Sequence, residues 1–327
     1  MATKVNMKML EQIDKLQIGE RPTRLKKFFY ETSLGLGSER ITAIMDIWDK
    51  VQNESLEMQR AKFLEAIVNK VPAVIWKDQS LVGGCKYFRG CYPCLDYDSK
   101  YLSKVIEGSC LTFGGPIEKG GISKEDLPKI AKAIEFFQGK AVGDKIRKAV
   151  DDVVGADWYD AFLQAGNRHS TESMPIGPNV NDNEKLLKVG LKGIIKECQE
   201  HIEAWKKEQD FDTEKLDFWR AAILSCEATI ALSKKYGAEA RRMAKAETAP
   251  DTKARLLKVA ETCEWVPENP ARSFQEALQS IIMVHLAILL HEGNSCNTGW
   301  GRIDDYLYPY FKKDIAEKNI TLQNALD

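Results

Sequence analysis

Residues 1–10 lack the apolar core of an export signal, so neither a secretory route nor the disulfide framework that goes with one is expected. Low-complexity tracts and internal repeats are missing, which argues against solenoids and linker-like chains. Neither charge sign is in excess: 47 Lys and Arg stand against 48 Asp and Glu, a formal net charge of −1. That balance points neither to nucleic acid nor to an acidic membrane surface. Long apolar runs are scarce too. The strongest, residues 281–290, reads as too short for a membrane span and contains His285. What is present, 44% apolar and 29% charged residues in a chain of 327, is an ordinary soluble composition with enough length for a large core and one or two domains.

A close fourth metal ligand is also lacking. The eight cysteines are Cys85, Cys91, Cys94, Cys110, Cys198, Cys226, Cys263 and Cys296. Cys85, Cys91 and Cys94 make a C-x5-C-x2-C spacing, but a structural zinc site needs four ligands, so no metal is expected. Cys198, Cys226 and Cys263 each fall inside a helical pattern and read as core. All eight are expected to be reduced thiols in the cytoplasm.

Helical periodicity dominates the rest. After a polar lead-in of 20 residues, Thr23 opens a short helix through Phe28 and Phe29. Ser38 caps a second with Ile41, Ile44, Met45 and Trp48 on one face. A third carries Leu56, Phe63, Leu64, Ile67 and Val68 and stops before Pro72. Residues 73–76 and 81–82 are short apolar runs read as strand-like. Residues 83–116 read as irregular. Ser123 and Asp126 cap a helix that Gly139 ends, and another spans about 142–154. Trp158, Tyr159, Phe162 and Leu163 suggest an aromatic cluster. Further helices start near Asn183, run through Leu216, Trp219, Ile223, Cys226 and Ile230, and open at Asp251.

Two polar loops stand out. One covers residues 167–181, N-R-H-S-T-E-S-M-P-I-G-P-N-V-N. The other follows an S-x-x-E capping box at Ser273 and Glu276 and a stripe of Phe274, Leu278, Ile281, Ile282, His285, Ile288 and Leu289. That helix reads as buried on most sides, and it ends in E-G-N-S-C-N-T-G-W-G-R, a small, glycine-bearing loop. By periodicity alone such a loop is a helix stop and turn; it is also the composition of a pocket rim.

The segment R-S-F-Q-E-A-L-Q, followed by G-R-I-D-D-Y-L-Y-P-Y-F-K-K-D from Gly301, resembles the glycyl radical enzymes, the pyruvate formate-lyase-like family. The carrying residues are Gly301, Arg302, Asp304, Tyr306, Leu307, Pro309 and Tyr310. Earlier matches come in the family's order: Ser38, Glu39, Arg40, Trp48, Arg60, Ala61, Lys62, Pro72, Ile75, Leu81, Val82 and Gly83. Without that resemblance Trp48 would be core and Arg60 a surface ion pair worth under about 1 kcal/mol.

The resemblance implies an α/β fold, predominantly helical in this chain: the N-terminal part of a ten-stranded α/β barrel, with residues 1–327 as one truncated domain. It implies a radical stored on a glycine and passed to a cysteine. Neither the family's G-C-x-E loop nor its R-V-x-G-Y loop is present, so catalytic residues are expected outside this chain, with no metal or organic cofactor within it, and the 327 residues alone are expected to be inactive. Implied partners are a radical-SAM iron–sulfur activating enzyme, small accessory subunits, a second catalytic subunit in a homodimer and a small-molecule substrate. Where dehydratase-type members have a Gly-His pair, this chain has Gly177 and Pro178; where they have a serine two residues before Gly-Arg, it has Gly299, followed by Trp300. Losing those polar groups and gaining an indole suits an apolar substrate. The expectation is therefore a fumarate-adding alkyl- or arylalkylsuccinate synthase, with another glycyl radical lyase (arylacetate decarboxylase, dehydratase, or C–N or C–S lyase) or a non-catalytic helical interaction protein as alternatives. Expected substrate contacts are Asn297, Thr298, Gly299, Trp300, Arg302, Pro178 and Asn179, with Arg302 either anchoring a carboxylate or paired structurally with Asp304, Asp305 or helix-end carbonyls.

Overall fold

The computed structural model describes residues 15–97, 111–112, 115–116, 122–155, 179–208, 212–292 and 298–327. The described helices are α1 (Glu20–Glu31), α2 (Glu39–Val51), α3 (Leu56–Lys70), α4 (Asp126–Phe137), α5 (Val142–Val154), α6 (Asn183–Glu208), α7 (Thr213–Ala246), α8 (Pro250–Trp265), α9 (Phe274–Glu292), α10 (Ile303–Ala316) and α11 (Leu322–Leu326). The strands are stubs: β1 (Leu34–Leu36) runs parallel to β2 (Arg89–Cys91), β3 (Leu111–Thr112) antiparallel to β4 (Gly115–Pro116), and β5 (Asn179–Val180) parallel to β6 (Thr298–Gly299).

One core collects the apolar stripes of α2, α3, α4, α7, α8 and α9. Ile41 and Ile44 of α2, Phe63, Leu64 and Ile67 of α3, and Ile130 and Phe137 of α4 are buried there. Trp48 stacks on Phe63 with ring centroids 5.7 Å apart and meets Phe137 edge-on. Helix α7 crosses the assembly against α3, α6 and α8, and Tyr236 on it is 1% exposed. A smaller apolar cluster joins Leu187 of α6, Ala277 and Ile281 of α9 and Leu307 of α10.

Several sequence expectations change in three dimensions. Residues 73–76 and 81–82 are not strands. Their backbone groups bond to side chains instead: Val82 N–H donates to Gln279 Oε1 at 2.8 Å, and Gln279 Nε2 donates to the Val82 carbonyl at 2.7 Å. A buried amide thus stands where a neighbouring strand would, which satisfies both polar groups without a ladder. β1 and β2 were not legible as strands, since three residues are too few to display a period of two. Ser38 occupies the N-cap of α2, yet its hydroxyl donates to Asp126 Oδ1 at 2.7 Å rather than capping. The S-x-x-E box is half formed: Glu276 N–H reaches Ser273 Oγ, while the Glu276 carboxylate accepts from Arg272 N–H at 2.8 Å and from its guanidinium. Arg60 is not a surface ion pair; it lies 3.3 Å from Glu292 and 3.7 Å from Asp96, both buried. Helix α9 is 19 residues long and apolar enough, by length and composition, to cross a membrane. Length therefore does not exclude a span. In this fold about half of the helix is buried, and Glu276, Gln279 and Glu292 on it are buried and bonded to other parts of the chain. Cys85 and Cys91 sit in the core margin, where burial pushes both thiols up to about 12. The aromatic cluster expected at residues 158–163, the loop at 167–178, Cys110 and Cys296 lie outside the described residues.

Candidate functional site

The two polar loops singled out in the sequence meet. Asn179 pairs with Thr298 and Val180 with Gly299 in parallel register, a contact between positions 119 residues apart in the chain. Asn297 and Pro178 lie outside the described residues. Thr298 is buried, Gly299 exposed, and Val180 is 62% exposed. The turn after β6 depends on Gly301, whose φ of +66° is in the left-handed region and whose added Cβ would sit 2.8 Å from Val180 Cγ1. Gly301→Ala is therefore expected to cost about 1–2 kcal/mol for the backbone alone and to loosen the β5–β6 pair. Urea unfolding checks the first part. Amide exchange at Val180 and Gly299 checks the second, and unchanged protection there would refute it.

Trp300 follows directly. Its carbonyl accepts from Asn183 Nδ2 at 3.3 Å and from the Tyr306 hydroxyl. Its indole joins the smaller apolar cluster and meets the His285 ring edge-on, centroids 5.7 Å apart. Asn183 is 2% exposed and opens α6, so it ties that helix start to the loop; its Nδ2 also donates to the Tyr306 hydroxyl at 3.3 Å. Tyr310 donates to the Leu187 carbonyl at 3.2 Å. Residues one and two turns into α10 thereby bind the same helix start, as i, i+4 spacing requires.

Arg302 points outward, its side chain 74% exposed, and its fork holds Asp304 at 2.9–3.0 Å with Asp305 at 3.5 Å. Asp304 and Asp305 raise the guanidinium pKa, and Asp304 is lowered in return. Being solvent-exposed, the pair adds little stability. Beside it a cleft of about 320 Å³ runs between α6 and α10, lined by Glu184, Leu187, Lys188, Arg302, Tyr306 and Tyr310 among others. Trp300 does not line this cleft. Of the expected site residues, then, the fold brings Asn179, Thr298, Gly299 and Trp300 together at the strand pair and places Arg302 at the adjoining cleft.

Residues missed by sequence reasoning surround the end of α9. Arg40 is 0% exposed, and its five N–H groups meet five acceptors: Leu290 O at 2.7 Å, Pro93 O at 3.1 Å, Asp96 Oδ1 at 2.7 Å, Asp96 Oδ2 at 3.0 Å and His291 O at 2.7 Å. Glu292 accepts from the Tyr97 hydroxyl at 3.1 Å and lies 2.5 Å from His291 Nδ1. Burial pushes Glu292 up, but His291, Arg60 and Tyr97 outweigh it and hold the carboxyl below its ordinary value. The only sequence signal for Arg40 was its place in the Ser38–Glu39–Arg40 match. Among the described residues no group of three or more His, Cys, Asp and Glu side chains is placed to hold a metal.

His285 and His291 are both held below the ordinary 6.5. Burial does this at His285. At His291 burial leads, with Arg60 and Arg40 adding to it and Glu292 opposing. The unfolded chain therefore binds more protons than the folded one just below 6.5. Stability is expected to be full above that pH and to fall as pH drops through it, by up to about 1.4 kcal/mol per unit for each histidine. Urea midpoints between pH 7.5 and 5.5 test this: a His285→Phe, His291→Gln double variant should show a flatter profile than the parent, and an equal slope would exclude the two histidines as the cause.

The profile of the family described as pyruvate formate lyase-like matches residues 8–327. Isethionate sulfite-lyase of Oleidesulfovibrio alaskensis is 31% identical over 88% of this chain and 35% of its own length. Indoleacetate decarboxylase of Tractidigestivibacter scatoligenes is 34% identical over 94% of this chain and 38% of its own. The glycerol-bound B12-independent glycerol dehydratase from Clostridium butyricum superposes with a TM-score of 0.81 at 25% identity, over 94% of this chain and 38% of that one. This chain thus spans 35–38% of the length of these relatives, and its helices and strand stubs are the corresponding part of their α/β fold. With matching motifs in order, a shared fold and a profile match over nearly its whole length, the chain belongs to the pyruvate formate lyase-like family.

Proposed function

We propose that these 327 residues are the N-terminal part of a glycyl radical lyase that cleaves a bond in a small organic anion. The observation that carries the reading is the likeness to two bond-cleaving enzymes, isethionate sulfite-lyase and indoleacetate decarboxylase, over 88% and 94% of the chain. Both names describe anionic substrates, one a sulfonate and one a carboxylate. Arg302 supports that class: a planar guanidinium takes either anion through two parallel hydrogen bonds, and Asp304 now fills the fork as a substrate carboxylate would. Asn179, Thr298, Gly299 and Trp300 form the wall. Trp300 supplies apolar surface and Gly299 leaves room for close backbone approach.

The glycyl radical and the thiol it acts through belong to the part of the enzyme beyond these residues. When present, that radical supplies hydrogen abstraction; the residues here bind, orient and exclude water. A radical-SAM activating enzyme is the required partner, and a cytoplasmic homodimer, with or without small accessory subunits, is the assembly in this reading. Fumarate addition to a hydrocarbon is the second reading. It is favoured by the same Gly299 and Trp300 wall and stands behind lyase activity because the relatives above cleave bonds.

The test uses the full-length enzyme, activated anaerobically and offered isethionate, indoleacetate, or toluene with fumarate. Release of sulfite or carbon dioxide is expected, and a succinate adduct as the sole product would move the enzyme to the fumarate-adding branch. Trp300→Ala should widen the accepted substrate size and Gly299→Ser should narrow it. A parent-like profile in both variants would make this loop scaffold.

A further inference from the structure

We infer that Arg40 is a positioning residue for Trp300, acting through helix α9. It is buried in α2, far in sequence from the loop it would serve, and its guanidinium seats the carbonyls of Leu290 and His291. Carbonyls in the last turn of a helix have no partner within it and carry the negative end of the helix dipole. Arg40 answers both needs while its other donors grip Asp96 and the Pro93 carbonyl. The next residue, Glu292, is held from a second side by the Tyr97 hydroxyl and Arg60. The end of α9 can therefore neither slide nor rotate without breaking several buried charged hydrogen bonds. His285 lies five residues before Leu290 on the same helix, about 7–8 Å along its axis, and its ring abuts the Trp300 indole. A rigid rod locked at one end thus fixes the surface that Trp300 packs on.

The chemistry of the lock makes it specific. Five acceptors in three directions match a guanidinium; an ammonium offers three donors from one point. Lysine at position 40 keeps the charge but offers three donors to the five acceptors at Asp96, Pro93 and the helix end, so it cannot hold them all.

The functional part of this inference rests on the reading of Trp300 as a substrate wall; the mechanical part does not. The test labels the full-length enzyme with 5-fluorotryptophan and assigns Trp300 by Trp300→Phe. Trp219, stacked on His201 in the α6–α7 pair, serves as the distant reference. Arg40→Lys is expected to move or broaden the Trp300 signal and leave Trp219 in place. A general loss of stability would instead leave both signals of the folded state at the parent positions. Tyr97→Phe keeps the ring and loses only the bond to Glu292, so it folds even if Arg40→Lys does not; it is expected to move Trp300 less, in the same direction. A parent-like Trp300 signal in either folded variant overturns the inference. If Trp300 moves here but Trp300→Ala leaves the substrate profile of the full-length enzyme unchanged, the positioning stands and the functional reading fails.

Discussion

Arg40→Met is expected to lower the stability of the chain by about 3–5 kcal/mol, the usual cost of removing one partner from a buried ion pair. The size follows from what is left behind. Asp96, 5% exposed, loses the two shortest of its charged contacts and, among the described residues, keeps only Arg60 at 3.7 Å. The carbonyls of Pro93, Leu290 and His291 lose donors at 2.7–3.1 Å. Methionine fills most of the volume, so the loss is polar rather than a cavity. Burial disfavours the charged guanidinium, yet Asp96 overcompensates and raises its pKa, so the group is charged in the folded state at any ordinary pH. An Arg40→Met, Asp96→Leu double variant removes both charges and should recover part of the loss, since a buried charge without a partner is the costly state. Equilibrium urea unfolding of the parent, Arg40→Met, Asp96→Leu and the double variant completes the cycle. A loss below about 1 kcal/mol in Arg40→Met, the range of an exposed pair, would mean that this guanidinium is not the tie between α2 and α9.

Gly190→Ala is expected to cost about 3 kcal/mol or more, combining about 1–3 for a backbone region open essentially to glycine alone with about 1–3 for forced displacement of packed groups. Gly190 interrupts α6 with φ +66° and ψ 172°. At this break the segment after α8 docks: Leu191 N–H donates to the Pro267 carbonyl at 2.8 Å, Lys192 N–H to Glu268 O at 2.9 Å, and Ala271 N–H to Leu187 O at 3.1 Å. A methyl on Gly190 would lie 2.4 Å from Glu268 O and 2.6 Å from Asn269 C. Those are backbone atoms and cannot swing aside as a side chain would. Gly139→Ala is the comparison without a clash, because Gly139 has φ +72° and nothing within 4 Å of the added Cβ. It should show the conformational cost alone, about 1–2 kcal/mol. The loss at Gly190 should be the larger; equal losses would show that the segment yields.

Much of the helical layout could be read from the chain because a helix buried on one side must repeat its apolar residues every three to four positions. The stripes around Ile41 and Ile44, Phe63 and Ile67, and Ile130 and Phe137 are buried as that rule demands. The start at Asn183 and the span Val142–Val154 also match. Boundaries were less legible. The first helix starts at Glu20, not Thr23, and α7 runs through to Ala246, well past the apolar stripe ending at Ile230. The break at Gly190 left no mark in the pattern, since a single glycine within a stripe is common and its φ is set by the docked segment.

For the candidate site, the residue types and family match placed Trp300 and Arg302 in one loop, but which groups surround them was hidden. His285 appeared only as one member of an apolar stripe. Arg40 looked like any arginine at a helix start, because complete burial of that residue type is rare without a carboxylate brought in from elsewhere. Glu276 and Ser273 spelled a capping box, whereas the carboxylate went to Arg272.

By itself the sequence determined the helices, the ordered family motifs and the small, glycine-bearing character of the loop after α9, all of which are properties of neighbouring residues. Tertiary structure alone decided that Asn179 and Val180 pair with Thr298 and Gly299, that Gln279 takes the place of a strand beside Val82, and that Arg40 closes the end of α9. Each of these joins positions more than a hundred residues apart. Local propensity carries no record of such partners, because a buried donor is satisfied by whichever acceptor the packed helices bring within about 3 Å.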